Sequence, residues 1–326
     1  MTFKIDRRAV MKTAAMGVTA LCIPQIMIRA ASAAPAMSDV PNPGYNRFQL
    51  GDFQVTTILD GLRPGEGPYP IFGQDQKPED VAQLMEANLL PADRFVNQFS
   101  PALVNTGSDL VLFDTGLGAG ARGNGLGRLT ARMRESGYDP ADVTLVVITH
   151  MHGDHIGGLM EDGAPTFPGA RYVFGQAEYD FWTAPERMSG PTEGGAKGVA
   201  ANVKPLVEKA TFIGDGSDVV PGIRAMAAFG HTPGHLIFTL ESGGKTLLLT
   251  ADTANHYVAS LQRPDWHVSF DTDKEMGAAT RRRVFDMIAT DRLPFIGYHM
   301  PFPAVGYVEK MDTGYRYVPE TYQLDL

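Results

Sequence analysis

Apolar and polar positions divide the chain into short segments with distinct periods. Phe53-Gln54-Val55-Thr56-Thr57-Ile58-Leu59 reads as a strand that stops at Asp60-Gly61. Ala102–Thr106 and Leu110–Phe113 flank Gly107-Ser108, the pattern of a hairpin. Leu126–Ser136 carries apolar residues at helical spacing and ends at Gly137. Val143–Ile148 is an unbroken apolar, β-branched run, which predicts a strand buried on both faces. Further strands are predicted over Ile223–Phe229, Leu236–Leu240, Thr246–Thr250 and Phe295–Tyr298, with helices over Gln176–Trp182, Lys197–Lys209 and Lys274–Ala289. Hairpins come first, and strands then mix with helices. That order predicts an α+β architecture, two sheets packed face to face with helices outside. Gly and Pro cluster at 61–75 and 185–198, where surface loops are expected.

The first 34 residues break this pattern. Lys4, Arg7, Arg8 and Lys12 precede a weakly apolar stretch from Thr13 to Ile28 and a small-residue run over Ala30–Ala36. This is the order of a secretory signal. Asp6-Arg7-Arg8-Ala9-Val10-Met11-Lys12 resembles a twin-arginine export signal. The expectation is a signal over residues 1–34, read by the export machinery, then one domain over 35–326 in the periplasm or outside the cell. The chain of 326 residues has 28 basic and 37 acidic side chains. Without residues 1–34 it loses five basic and one acidic side chain, leaving a formal charge of −13. Such a surface repels nucleic acid. Cys22, the one cysteine, also lies in this segment, so the remainder has no thiol nucleophile or thiolate ligand.

The strongest chemical signal is His150-Met151-His152-Gly153-Asp154-His155, directly after the predicted core strand. His150 and His152 are two apart, so on extended chain they point the same way. Gly153 lets the backbone bend, after which Asp154 and His155 can turn inward. Three imidazoles and a carboxylate in six residues form a ligand set for zinc or a similar cation. His231-Thr232-Pro233-Gly234-His235, Asp252 and His299 each follow a predicted strand, where loops gather into a site.

The order H-x-H-x-D-H, then His, Asp and His, resembles the metallo-β-lactamase-fold hydrolases. Phe48–Phe53, Leu103–Gly107, Leu112–Gly116 and Gly314–Pro319 look like the methyl parathion hydrolases and their lactonase and arylesterase relatives. The resemblance covers about residues 44–322. It implies an αββα four-layer sandwich, two facing mixed sheets with a two-metal site between them. It implies one metal on His150, His152 and His235, a second on Asp154, His155 and His299, and Asp252 bridging both. His231 is then a hydrogen-bonded structural histidine, and Asp114 orients the ligand loop. Trp182 matches a pocket aromatic of these enzymes, Phe270 falls near another pocket position, and Phe181 and Trp266 are expected beside them. His256 and His267 are expected at the pocket rim or the surface. The family's dimers make a homodimer an expectation too.

The implied chemistry is hydrolysis by a hydroxide bridging two divalent cations, with Asp154 and Asp252 as the catalytic carboxylates. Zinc is expected, and manganese, cobalt or iron suit the same ligands. No Gly-x-Ser-x-Gly elbow or phosphate-binding glycine loop is present. The expected substrate is a small neutral ester, a lactone or aryl ester, with organophosphate triesters as a secondary class. Gly118–Gly125 is glycine-rich where the organophosphate enzymes have an apolar wall. The alternatives are a glyoxalase-II-like thioesterase, for which Arg187, Lys197 and Arg263 would bind an anionic substrate, and a non-catalytic periplasmic metal-binding protein.

Overall fold

Strand Leu145–Ile148 is buried at all four positions, and its side chains alternate between two cores. Leu145 and Val147 face one apolar cluster, Val146 and Ile148 another. That split fixes the layering of the fold. The computed structural model describes residues 42–321. The signal-like segment 1–34 and most of the lead-in before Tyr45 lie outside the described residues.

Among the described residues there are two seven-stranded sheets. The first runs Tyr45–Leu50, Phe53–Ile58, Ala102–Asn105, Leu110–Phe113, Leu145–Ile148, Arg171–Gly175, Ala210–Ile213. Its first four strands pair antiparallel and the last four parallel. The second runs Asp218–Val220, Ile223–Ala227, Leu236–Ser242, Lys245–Ala251, Phe295–Gly297, Val305–Lys310, Tyr315–Pro319. It is antiparallel except where Lys245–Ala251 meets Phe295–Gly297. Val55, Val104, Val111 and Val147 of the first sheet share a core with Ala225, Leu236, Phe238 and Leu249 of the second. The outer face of the first sheet packs on helices Leu129–Glu135 and Glu193–Asn202, and that of the second on helix Lys274–Asp291. The result is the expected helix–sheet–sheet–helix sandwich.

Local departures from the sequence reading have local causes. Helix Leu129–Glu135 starts three residues later than its apolar spacing predicts. The buried Asp60 carboxylate accepts the N–H groups of Gly127 at 3.2 Å and Leu129 at 2.9 Å, and Gly127 takes φ +65°. The chain is thereby bent around Asp60 before the helix can begin. The helix predicted over 197–209 is instead Glu193–Asn202 followed by a 3-10 segment, Lys204–Lys209. Pro205 lacks the N–H to continue and its ring clashes with the preceding turn.

The segment 61–75, expected as a loop, begins with strand Gly61–Glu66, which pairs with Arg94–Phe99 in a separate two-stranded ribbon. Five of its six residues are exposed and it contains Pro64, so no burial period marks it. The other expected loop, 185–198, forms two short 3-10 turns and the start of helix Glu193–Asn202.

The ends of three strands meet on one side. Leu145–Ile148 runs into His150, Lys245–Ala251 into Asp252, and Phe295–Gly297 toward His299. The N–H of Leu236 donates to Thr149 O across the sheets at 3.0 Å, which holds the two ligand-bearing edges together.

Candidate metal centre

Asp114 begins the site. It follows strand Leu110–Phe113, takes φ +62°, and is fully buried. Its carboxylate accepts the Thr149 N–H at 2.9 Å, the Thr149 hydroxyl, and His155 Nδ1–H at 2.8 Å. Asp114 thus fixes both ends of the His150–His155 turn. Ala251, just before Asp252, also sits at positive φ, +42°. A residue with a Cβ pays about 1–2 kcal/mol for that conformation, and it stands at the point where the chain leaves the sheet to present Asp252.

Two groups of ligand atoms converge. His150 Nε2, His152 Nδ1 and His231 Nε2 lie 3.0–3.2 Å from one another. Asp252 Oδ2 is 3.3 Å from His231 Nε2 and 3.8 Å from His150 Nε2. In the second group, Asp154 Oδ2 stands 3.6 Å from both His155 Nε2 and His299 Nε2. Asp252 reaches this group as well, with Oδ1 3.2 Å from His155 Nε2 and Oδ2 3.1 Å from His299 Nε2. The Asp252 carboxylate therefore lies between the two groups.

Hydrogen bonding on the far side of each ring says which nitrogen is free. Asp271 accepts from His231 Nδ1 at 3.0 Å, Asp114 from His155 Nδ1, and the Gln98 carbonyl from His299 Nδ1 at 2.6 Å. Thr149, whose hydroxyl donates to Asp114, accepts from His150 Nδ1 at 3.1 Å. In each case the outer N–H is engaged and the inner nitrogen faces its neighbours, the arrangement that metal-ligating imidazoles adopt. Among the described residues, His155 Nε2 and Asp252 Oδ1 are buried with no hydrogen-bond partner. Ring nitrogens converging at about 3 Å, with orphaned polar atoms between them, fit two cations and fit a purely hydrogen-bonded core poorly.

Electrostatics agree. Burial, with the neighbouring His155, holds His150 well below its usual value, and burial takes His152 down to about 3. Both are neutral and ready to ligate. Burial opposes protonation of His231 too, but Asp252 and Asp271 outweigh it and push it up to about 9. Burial disfavours a charged His155 as well, but Asp252, Asp114 and Asp154 raise it well above its usual range. Asp252 is held well below the carboxylate range by His299, His155 and His150, despite its burial. Cation binding here displaces protons.

One ligand expectation is corrected. His235 does not join the cluster. Its Nδ1 donates to Ala228 O at 3.0 Å and its Nε2 accepts the Asp252 backbone N–H at 3.1 Å, so both nitrogens are used. His231 takes the place expected of it. The two histidines bracket a Thr-Pro-Gly turn, and only the course of that turn decides which one faces Asp252.

Two cavities adjoin the cluster. A polar one of about 290 Å³ is lined by Arg63, Asn97, His152, Asp154, Asp252, Phe270 and His299 among others. An apolar one of about 360 Å³ is lined chiefly by Leu62, Met85, Leu90, Phe95, Val96 and Phe302, and it meets the cluster at His299 and Asn255. Of the four aromatics expected at a pocket, Phe270 alone lines either. Trp182 is buried, its ring edge toward His152 with centroids 5.9 Å apart. Phe181 packs under Arg187 and Trp266 under Arg263. His256 is buried at the apolar cavity rather than at the surface. Arg187, Lys197 and Arg263 line neither cavity, and Lys197 pairs with Glu193 at 2.6 Å.

The metallo-beta-lactamase superfamily profile matches residues 100–286. The chain belongs to this superfamily. An N-acyl homoserine lactonase of Bacillus sp is 27% identical over 175 residues, 52% of this chain and 62% of the relative. The N-acyl homoserine lactonase AttM of Agrobacterium fabrum is 31% identical over 130 residues, 38% and 46% of the two chains. The chain thus spans less than two thirds of the length of these curated relatives. Among solved structures, AidC, a dizinc quorum-quenching lactonase in complex with a product, aligns with a TM-score of 0.78 at 25% identity, over 86% of this chain and 99% of that one. The hydrolase AbOPH aligns with a TM-score of 0.79 at 25% identity, over 87% and 100%. The ribbon of Gly61–Glu66 and Arg94–Phe99 contributes Leu62, Phe95 and Val96 to the cavity wall. Sequence reading gave no signal for it.

Proposed function

We propose that the protein is a two-metal hydrolase that opens lactones or cleaves neutral esters bearing an apolar acyl or aryl group. His150, His152, His231 and Asp252 would hold one cation, and Asp154, His155, His299 and Asp252 the other. The observation that carries the reading is the junction of the apolar cavity with the cluster at His299 and Asn255. An ester carbonyl placed at the cluster would have its hydrocarbon portion among Leu90, Phe95, Val96 and Phe302. The lactonase relatives and the AidC likeness support the same class.

Two such cations, when bound, supply Lewis acidity toward a carbonyl oxygen and bring the pKa of coordinated water near 7. The chain's own groups do the rest. Asn255 Nδ2 donates to Asp252 Oδ2 at 2.9 Å and fixes that carboxylate between the two ligand groups. Asp154, with a side chain about a fifth exposed at the polar cavity, is the cluster carboxylate open to a substrate. In this reading it takes the proton released as the attacking water adds to the carbonyl and passes it to the leaving alkoxide. The apolar wall excludes water from the hydrocarbon portion. Zinc is the cation we propose, and the protein's export through its N-terminal segment belongs to the same reading.

The test is one matched panel of initial rates on metal-analysed protein: acyl-homoserine lactones of rising chain length, an aromatic lactone, an aryl ester, methyl parathion, a thioester and a β-lactam. Fastest turnover on a lactone or aryl ester supports the proposal. Fastest turnover on methyl parathion or the thioester replaces the substrate class, and no turnover on any of them overturns the enzyme reading in favour of a metal-binding role.

A further inference from the structure

Glu178 lies outside both cavities and is fully buried in helix Gln176–Thr183. Burying a carboxylate is costly unless donors surround it. Four do. Oε1 accepts the Met151 N–H at 2.9 Å and the Trp182 indole N–H at 2.7 Å. Oε2 accepts the Thr232 hydroxyl at 2.7 Å and the Gly234 N–H at 2.9 Å. Three of the four donors stand beside a member of the three-histidine group, and Gly234 closes the turn that carries His231. Met151 lies between His150 and His152. Thr232 follows His231. Trp182 sets its ring edge against His152. The turn carrying His231 comes so close to Glu178 that a Cβ on Gly234 would collide with the Glu178 backbone.

The second ligand group does not use Glu178. Asp114 orients His155, the Gln98 carbonyl orients His299, and the Tyr298 hydroxyl donates to the Asp154 carbonyl at 2.5 Å. Asp114 reaches both groups, through Thr149 to His150 and directly to His155, whereas the contacts of Glu178 fall on the first group's turns alone. A buried ionic group is weak evidence for stability as such, since an apolar residue of similar size packs as well or better. What an apolar residue could not do is tie two turns, far apart in sequence, at four fixed points.

We propose that Glu178 is the positioning residue of the three-histidine group. It clamps the 150–152 turn to the 231–234 turn, so that the affinity of one of the two cation positions depends on it and that of the other does not. This rests on the two-metal reading above but not on the substrate.

The experiment uses the full-length zinc-loaded protein and the variants Glu178→Gln and Thr232→Val. Glu178→Gln keeps the shape but turns an amide donor toward groups that are themselves donors. Thr232→Val removes one donor and leaves the carboxylate, so it decides the matter if Glu178→Gln does not fold. Zinc per chain is measured by elemental analysis after equilibration against graded chelator. In Glu178→Gln one zinc should leave at a free-zinc level about 10–100-fold above that which empties wild type, the usual range for losing such a partner. The second zinc should leave as in wild type. Thr232→Val should shift the same single step by less. Both ions shifting together, or neither shifting while thermal stability falls, would overturn the proposal and make Glu178 a general structural residue. Wild type that binds two zinc ions yet hydrolyses no ester overturns the proposed function and leaves this inference standing. Wild type that binds none overturns both.

Discussion

His231 Nε2 lies 3.3 Å from Asp252 Oδ2, whereas His235, four residues on, accepts the Asp252 backbone N–H with its own Nε2. The two histidines therefore answer differently to substitution. His231→Ala is expected to lower kcat/KM by at least about a thousandfold, about 4 kcal/mol of transition-state stabilisation, and to lose zinc. His235→Gln is expected to keep its zinc and cost about 1–3 kcal/mol of folding stability by leaving buried groups unpaired. Elemental analysis beside thermal melts separates the outcomes. Zinc lost from His235→Gln but kept by His231→Ala would reverse the assignment.

Trp182 backs His152 rather than facing substrate. Trp182→Phe keeps the packing and removes the donor to Glu178 Oε1. Relative kcat/KM across lactones, aryl esters and methyl parathion should then stay within about twofold of wild type, while zinc is held less tightly. A reordered substrate ranking would put Trp182 in the pocket after all.

Selectivity should instead lie in the ribbon. Phe95 is half-buried and lines the apolar cavity. Phe95→Ala is expected to flatten the dependence of KM on acyl-chain length, because removing a partly buried ring costs about 1–3 kcal/mol of apolar contact. Zinc content should not change. An unchanged chain-length series would mean the hydrocarbon portion binds elsewhere.

Chelation should abolish hydrolysis, and zinc, cobalt or manganese should restore it. Melting temperature should fall with the metal, because ligands that bind only the folded chain stabilise it by about 4 kcal/mol at a thousandfold excess over Kd. A chelated protein with undiminished turnover would remove the metals from the mechanism.

Glu320 gives a pH signature away from the site. Burial pushes its carboxyl up to about 7. A carboxyl with a raised pKa contributes stability while protonated, below its unfolded value, and loses it as pH rises through 7. Glu320→Gln is expected to melt with wild type at pH 4.5 and above it at pH 8. Parallel melting curves at both values would show that Glu320 is solvated.

How much of this was legible beforehand varies with range. The strand Leu145–Ile148 was readable because burial on both faces leaves an unbroken apolar run, and the H-x-H-x-D-H order was readable because its ligands are adjacent in the chain. Asp154 belongs to the same local order, whereas the role of Asp252 came from the family resemblance. The ribbon of Gly61–Glu66 was not readable, since exposed strands carry no burial period.

The sequence by itself determined the two facing sheets and the His150–His155 ligand turn, which depend on local period and spacing, while the family resemblance implied the distant ligands. Tertiary structure alone decided that His231 faces Asp252, that Glu178 joins the two histidine turns, and that Leu62, Phe95 and Val96 wall the cavity. Each of these depends on where a turn or ribbon comes to rest against chain many residues away. No local period records such a contact.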